Sequence, residues 1–199
     1  MIVDVYISAI DNNEPIGKIE NEARRQEIEK ISNERVKREK YCAWKLLCHA
    51  LKNSFGLEAE KLDFGKLEWG AWVLDGAEFS ISHGDGAVAV AVSKSGNPVG
   101  VDIERVHKSR SDRMAEFIMN EGELAAFNSL PNDAKEERLI EIWTIKEAIF
   151  KTKRASNFIP RETDIESYPT KTVKLGIKNQ EYICTVAGWG SENARVFIE

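Results

Sequence analysis

Two acidic residues on one predicted strand have the spacing that most directly suggests chemistry. Residues 99–104 alternate apolar and polar positions, which places Asp102 and Glu104 on one face, about 6.5–7 Å apart along the strand. Two such carboxylates can hold a hard cation such as Mg2+, which also takes phosphate and water oxygens. Gly100, on the same face, leaves room for another group to approach closely. The alternative is that both carboxylates lie on the solvated face of the strand.

A long helical pattern over residues 133–153 carries further candidate charges. Its large apolar residues fall on one broad face, where Lys146 projects into the middle and Glu147 lies at the edge. Taking these charges out of water costs several kcal/mol per ion without a partner, so we expect this face to border a polar cleft or a bound ligand. Alternatively, Glu147 and Lys151 form an ordinary i,i+4 surface pair, and Lys146 reaches water along its methylenes.

Composition and charge exclude several classes of protein. The 199 residues are 42% hydrophobic and 31% charged, as in ordinary globular domains, and the net charge of −5 argues against a general nucleic-acid binder. The first residues lack the pattern of a signal peptide, and no apolar run approaches the length that spans a bilayer. Cys42, Cys48 and Cys184 fit neither a disulfide framework nor a zinc site. We therefore expect a cytoplasmic protein with buried thiols.

The remaining pattern predicts an α+β protein in two halves of similar plan, residues 1–98 and 99–199. Residues 18–55 form helix in two pieces, with Ser32 as N-cap, Gly56 as C-cap and a basic cluster that is either a solvated face or an anion site. A polar linker, residues 107–112, precedes the later helices. The predicted strands are 3–8, then a meander of 78–83, 87–93 and 99–104, then a second meander of 170–177, 181–187 and 194–198. The predicted later helices are 113–119, 121–129 and 133–153.

Three motifs in sequence order carry a family resemblance. Phe79-Ser80-Ile81-Ser82-His83 is followed by Val99-Gly100-Val101-Asp102-Ile103-Glu104 and then by Trp143-Thr144-Ile145-Lys146-Glu147-Ala148-Ile149-Phe150-Lys151. This combination resembles the 4′-phosphopantetheinyl transferase superfamily, and the chain's length and spacing resemble its surfactin-synthetase-activator type. The resemblance is clear over residues 79–153.

The resemblance implies a fold and a reaction. The fold would be a pseudo-dimer of two similar α+β halves, each a small antiparallel sheet packed on helices, with the active site in the cleft between them. The chain would use Mg2+ to transfer the 4′-phosphopantetheine arm of coenzyme A to a serine of an apo acyl or peptidyl carrier protein, releasing 3′,5′-ADP. It would act as a monomer, without nucleic acid or membrane. Two alternatives are a non-catalytic carrier-binding relative and a metal-dependent phosphodiesterase.

The resemblance also implies roles for individual residues. Asp102, Glu104 and Glu147 would bind Mg2+, and Glu147 would also take the serine proton. Lys151 would stabilise or protonate the departing phosphate, with Lys146 adding positive charge. The expected contacts to phosphates of coenzyme A are Ser82, His83, Arg38 and Lys45. The chain departs from the family pattern at Ala71, where a lysine usually follows the glycine, so either Lys66 supplies that contact or it is missing.

Overall fold

The described part of the chain forms two β-sheets and five α-helices, which confirms the predicted α+β class. The computed structural model describes residues 2–11, 13–68, 70–94, 96–106 and 112–199, with Asp112 described by its backbone alone. The helices are α1 (Glu22–Glu29), α2 (Glu34–Phe55), α3 (Asp112–Ile118), α4 (Glu121–Asn128) and α5 (Asn132–Lys153). The strands are β1 (Val3–Ala9), β2 (Phe64–Lys66), β3 (Trp72–Leu74), β4 (Ala77–Gly84), β5 (Ala87–Lys94), β6 (Gly100–Arg105), β7 (Thr170–Ile177), β8 (Gln180–Ala187) and β9 (Arg195–Ile198).

Strand pairing differs from the two predicted meanders. The first sheet has the order β2-β3-β4-β5-β1-β9, and the second has the order β6-β8-β7. Because β1 pairs antiparallel with β5, that edge of β5 is closed to β6, which pairs with β8 instead. The last strand, β9, leaves the second half of the chain and lies parallel to β1. The hairpins β4–β5 and β7–β8 are confirmed, whereas the third strand of each predicted meander joins the other sheet.

The helix boundaries follow local capping signals. Gly56 ends α2 with a φ of 70°, as predicted, because glycine adopts the left-handed conformation at little cost. The N-cap is Asn33 rather than Ser32, and its side chain accepts from the backbone N–H groups of Arg35 and Val36. Of the predicted linker, residues 107–111 lie outside the described residues, and Asp112 is the first residue of α3. No helix in the described ranges combines the length and apolarity needed to cross a membrane.

Two apolar layers fix the arrangement of these elements. In the first, α2 packs on the outer face of the first sheet through a cluster that includes Trp44, Leu47 and Val90. In the second, the inner faces of the two sheets meet, with alternate alanines of β5 against Val101 and Ile103 of β6. Helix α5 covers the other face of the second sheet, where Ile149 packs against Ala187. The order of layers is therefore helix, sheet, sheet, helix, and β6 is covered on both faces.

Candidate active site

The close contact between β6 and α5 depends on Gly100. A Cβ atom at this position would lie 1.9 Å from the carbonyl oxygen of Ala148 and 2.7 Å from Oγ1 of Thr152. Without that atom, α5 packs directly onto the face of β6 that carries Asp102, which is 4% exposed. The close approach expected at Gly100 is therefore made by α5, and Asp102 does not lie on a solvated strand face.

One oxygen of the buried Asp102 carboxylate receives two hydrogen bonds and the other receives none. Ser82 Oγ donates to Oδ1 over 2.7 Å, and Lys151 Nζ donates to the same atom over 2.8 Å. Lys151 Nζ also donates to the carbonyl oxygen of Val101 over 3.1 Å. Asp102 Oδ2 is buried and has no hydrogen-bond partner among the described residues. An unsatisfied buried carboxylate oxygen is costly, and a cation would satisfy it.

Glu147 and Glu104 add negative charge next to Asp102. Burial raises the pKa of the half-buried Glu147 carboxyl; the Lys151 ammonium opposes this, and the charges of Asp102 and Glu104 raise the pKa further. Glu104 accepts a hydrogen bond from Trp143 Nε1 at 3.3 Å. In their present conformations, no three His, Cys, Asp or Glu side chains of the described residues form a group that could hold a metal ion.

These acidic residues are nevertheless suited to a divalent cation. All three are oxygen ligands, the type that Mg2+ prefers. The bare Oδ2 of Asp102 and the raised pKa of Glu147 are both features that a nearby positive charge would relieve.

A cleft of about 270 Å3 adjoins this group, and its charged lining is entirely basic. Lys151 lies in the wall of the cleft and also holds Asp102. Trp72, Phe79 and Phe150 supply aromatic surface. The cations of the lining are Arg24, Lys40, Lys151 and Arg154, and no described lining residue is acidic. Such a cleft favours a ligand with several negative charges and an apolar or aromatic part.

His83 lines the same cleft as a neutral imidazole. Burial lowers its pKa to about 4, and the positive charges of Lys40, Lys151 and Arg24 contribute. Its Nδ1 lies 3.6 Å from Glu39 Oε2 and makes no hydrogen bond among the described residues. Because the ring is uncharged at neutral pH, this contact is not an ion pair. A bound polyanion would offset the neighbouring cations and raise this pKa.

The structure does not bring Lys146 into the cleft. Its side chain is fully buried, and its Nζ pairs with Glu123 Oε2 of α4 at 2.7 Å. The same nitrogen donates to the carbonyl oxygen of Pro160 at 2.9 Å. The predicted partner for this buried charge is therefore present, but it is a carboxylate of the protein and not a bound phosphate.

Arg38 and Lys45 also lie away from the cleft. Both contact Glu14: Arg38 donates to the backbone carbonyl oxygen of Glu14, and Lys45 pairs with the Glu14 carboxylate. Residues 38 and 45 are seven positions apart and share one face of α2. The cleft is lined instead by Lys40 and Ala43. At about 100° per residue, Lys40 points about 200° away from Arg38, so the basic cluster is divided between two sides of the helix.

Arg24 is a cleft residue that the sequence patterns did not indicate. It is 4% exposed, and its guanidinium donates to Glu27 at 2.6 Å and to the carbonyl oxygen of Lys40 at 3.3 Å. Its Cζ lies 5.9 Å from the ring centroids of both Trp44 and Trp72. The Nε atom is buried without a hydrogen-bond partner among the described residues. One sequence feature could have indicated it: Arg24 lies one helical turn before Ile28, and both are on the buried face of α1.

Lys66, the expected substitute for the lysine absent at Ala71, lies next to the cleft but does not line it. Its Nζ lies 3.4 Å from Glu27 Oε1 and 5.0 Å from the Trp72 ring centroid. It is not among the residues that line the cleft, whereas Gly70 and Ala71 are. Gly70 and Ala71 themselves contribute no charge to the cleft wall.

A match to a family model covers the second and third sequence motifs, residues 99–104 and 143–151. Residues 98–187 match the family model described as the 4′-phosphopantetheinyl transferase superfamily. The chain is also similar to 4′-phosphopantetheinyl transferase gsp from Aneurinibacillus migulanus, with 35% identity over 117 residues. That match covers 57% of this chain and 48% of the relative, so the chain spans about half the length of the curated protein it matches.

Proposed function

Because residues 98–187 match the family model of the 4′-phosphopantetheinyl transferase superfamily, we propose that this chain belongs to that superfamily and moves the 4′-phosphopantetheine arm of coenzyme A to a serine of an apo acyl or peptidyl carrier protein. The by-product is 3′,5′-ADP. The observation that carries the proposal is the position of Lys151, which lines the basic cleft and also holds the buried Asp102. One side chain thus links a site for a phosphorylated donor to a group of carboxylates.

Coenzyme A matches the chemistry of the cleft. Its phosphates complement a lining with four cations and no described acid, and its adenine can pack on aromatic surface such as Trp72. Arg24 and Lys40 take the place of Arg38 and Lys45 in this proposal. Arg24 packs near two tryptophans and lines the cleft, so it supplies positive charge at a fixed position in the proposed donor site.

Asp102, Glu104 and Glu147 would hold Mg2+, which would neutralise charge on the donor's pyrophosphate. Ser82 fixes the orientation of Asp102 through the hydrogen bond to Oδ1. Lys151, which compensates Asp102 in the free protein, is close enough to the cleft to serve a phosphate as well.

The reaction exchanges one phosphorus–oxygen bond for another. The carrier serine oxygen bonds to the phosphorus attached to pantetheine, and the bond from this phosphorus to the bridging oxygen breaks. Glu147 accepts the serine proton, a role that suits a carboxylate whose pKa is raised by burial. Lys151 stabilises the charge that develops on the departing 3′,5′-ADP phosphate.

Mass spectrometry of a carrier protein tests the proposal. The chain is incubated with Mg2+, coenzyme A and apo carriers from fatty-acid, polyketide and nonribosomal-peptide synthesis. We expect at least one carrier to gain a phosphopantetheine group while 3′,5′-ADP is released. Glu147→Gln should abolish the transfer, whereas Glu141→Gln, on the same helix and paired with Arg138, should retain it.

Three outcomes would contradict the proposal. Absence of any mass gain from a folded protein would exclude transfer to the carriers tested. Carrier binding without coenzyme A binding would favour a non-catalytic carrier-binding protein. Cleavage of coenzyme A without a carrier would favour a phosphodiesterase.

The proposal includes a two-half organisation in one chain, with residues 1–98 on the donor side and residues 99–199 carrying the carboxylates. The mirrored layers of helix and sheet support it, with β9 as the strand of the second half that joins the first sheet. We further propose that the protein is cytoplasmic, since the three cysteines are free thiols. We also propose that it is a monomer, since two similar halves in one chain remove the need for a partner subunit. Light scattering of the purified chain tests the monomeric state.

A further inference from the structure

Arg154 has a backbone conformation that its residue type does not favour. It caps α5 with φ 50° and ψ 34°, in the left-handed region where glycine is the usual residue. Three other described non-glycine residues have a positive φ, and each lies in a two-residue hairpin turn that requires it: Asp85, Lys178 and Asn179. Arg154 lies in no hairpin. The end of α5 requires the left-handed conformation, which glycine would adopt at lower cost, so an arginine here suggests that the side chain has a role.

The Arg154 side chain connects the end of α5 to the first sheet. Its guanidinium bonds to Glu78 Oε2 of β4. Glu78 is 9% exposed, and its other oxygen accepts from the backbone N–H of Gly96 over 3.2 Å. The carboxylate is therefore fixed, and it holds the guanidinium in place. The bond to Glu78 uses a terminal nitrogen, and a guanidinium has five N–H donors.

The held guanidinium borders the basic cleft. Arg154 lines it together with Lys151 and His83. Gly70 and Ala71 line the same cleft without contributing charge. Arginine is well suited to phosphate because its planar group can make two parallel hydrogen bonds.

We propose that Arg154 is a donor-binding residue, which donates hydrogen bonds to a phosphate of coenzyme A while Glu78 holds its guanidinium at the cleft wall. This inference rests on the proposed function, because it assigns a contact to the donor which that function requires. The phosphate is either the 3′-phosphate or the pyrophosphate. The competing explanation is that the Arg154–Glu78 pair only joins α5 to β4.

Arg154→Gly separates these two explanations. Glycine removes the guanidinium and leaves Glu78 without its cation, but it also relieves the unfavourable backbone conformation, which offsets part of that cost. The variant should therefore still fold. Lys153→Ala is the matched control, because Lys153 is the exposed neighbouring cation and does not line the cleft. It reports the effect of losing one positive charge near the cleft without losing a contact.

Calorimetry measures the binding of coenzyme A and of dephospho-coenzyme A to the three proteins in Mg2+, with thermal denaturation as the check on folding. Arg154→Gly should bind coenzyme A about 10- to 100-fold more weakly, the usual effect of a lost charge-assisted hydrogen bond. Lys153→Ala should stay within about twofold. If the loss in Arg154→Gly disappears with dephospho-coenzyme A, the contact is to the 3′-phosphate; if it persists, the contact is to the pyrophosphate.

Affinity of Arg154→Gly within about twofold of the parent chain, as for the Lys153 control, would overturn the assignment of Arg154 and leave the proposed function standing. Failure of the parent chain to bind coenzyme A would instead overturn the proposed function, and the assignment with it.

Discussion

Replacing Lys151 by methionine tests the ion pair that links the cleft to the carboxylates. At the observed 2.8 Å separation, and with an effective dielectric constant of about 20, the attraction to Asp102 is about 6 kcal/mol. Desolvation of Asp102, which is 4% exposed, cancels much of this energy. Removing one member of a buried pair costs about 3–5 kcal/mol. Because the Lys151 side chain is 26% exposed, we expect a smaller loss of about 2 kcal/mol.

A double-mutant cycle in urea measures this quantity. Lys151→Met and Asp102→Asn are compared singly and together, without Mg2+. The double variant should be more stable than the sum of the single losses predicts, by about 1–2 kcal/mol, because it leaves no unpaired buried charge. Lys151→Met alone should lower the melting temperature by about 4–8 °C. Additivity within about 0.5 kcal/mol would refute the coupling. Lys174→Met, at an exposed pair with Glu137, should leave the unfolding midpoint unchanged.

Two further substitutions test how the site is built. Gly100→Ala places a Cβ atom 1.9 Å from the Ala148 carbonyl oxygen. We expect thermal denaturation to show a loss of at least about 2 kcal/mol in the free energy of unfolding, and transfer to be reduced at temperatures where the variant is folded. A stable, fully active variant would contradict the packing of β6 on α5. Lys146→Met leaves Glu123 buried without its cation and should cost about 3 kcal/mol, while calorimetry should find unchanged affinity for coenzyme A. If the folded variant bound coenzyme A much more weakly, Lys146 would have to be assigned to the donor site.

Local signals in the sequence predicted the helices and hairpins well. The end of α2 at Gly56 follows from one residue's backbone preference. The predicted helix over residues 133–153 agrees with α5, although the buried residues of α5 are not confined to one face. The strands β2 and β3 have three residues each, which is too short for an alternating pattern to be visible. The pairing of β6 with β8 and of β9 with β1 depends on contacts distant in sequence, so periodicity within each strand carried no information about it.

In the candidate site, too, local motifs predicted some residues, whereas others depend on contacts that are distant in sequence. Motifs predicted Ser82, Asp102 and Lys151, and the structure brings these three together through direct hydrogen bonds. The position of Lys146 on an apolar face correctly predicted that its charge needs a partner. That partner is Glu123, 23 positions earlier in the sequence, which no local pattern identifies. Arg24 enters the cleft because tertiary packing places it between two tryptophans from other elements.

Glu147→Gln should separate stability from catalysis. Burial raises the pKa of the Glu147 carboxyl above its ordinary value, with Lys151 opposing and the charges of Asp102 and Glu104 contributing. The native state therefore holds this proton more tightly than the unfolded chain, so it gains stability as the pH falls through the native pKa. At neutral pH and without Mg2+, the ionised Glu147 carboxylate destabilises the native state, and a neutral glutamine at this position removes that destabilisation.

We therefore expect Glu147→Gln to melt at a higher temperature than the parent chain at pH 7 without Mg2+. The difference should disappear below about pH 4, near the pKa of an unfolded glutamate, where the parent carboxyl is protonated as well. Transfer should be lost at every pH, while Glu141→Gln keeps the parent's activity. A lower melting temperature than the parent at pH 7 would mean that the Glu147 charge is already compensated by the protein. The three carboxylates would then have no electrostatic need for a cation, and the argument for Mg2+ at this site would fail.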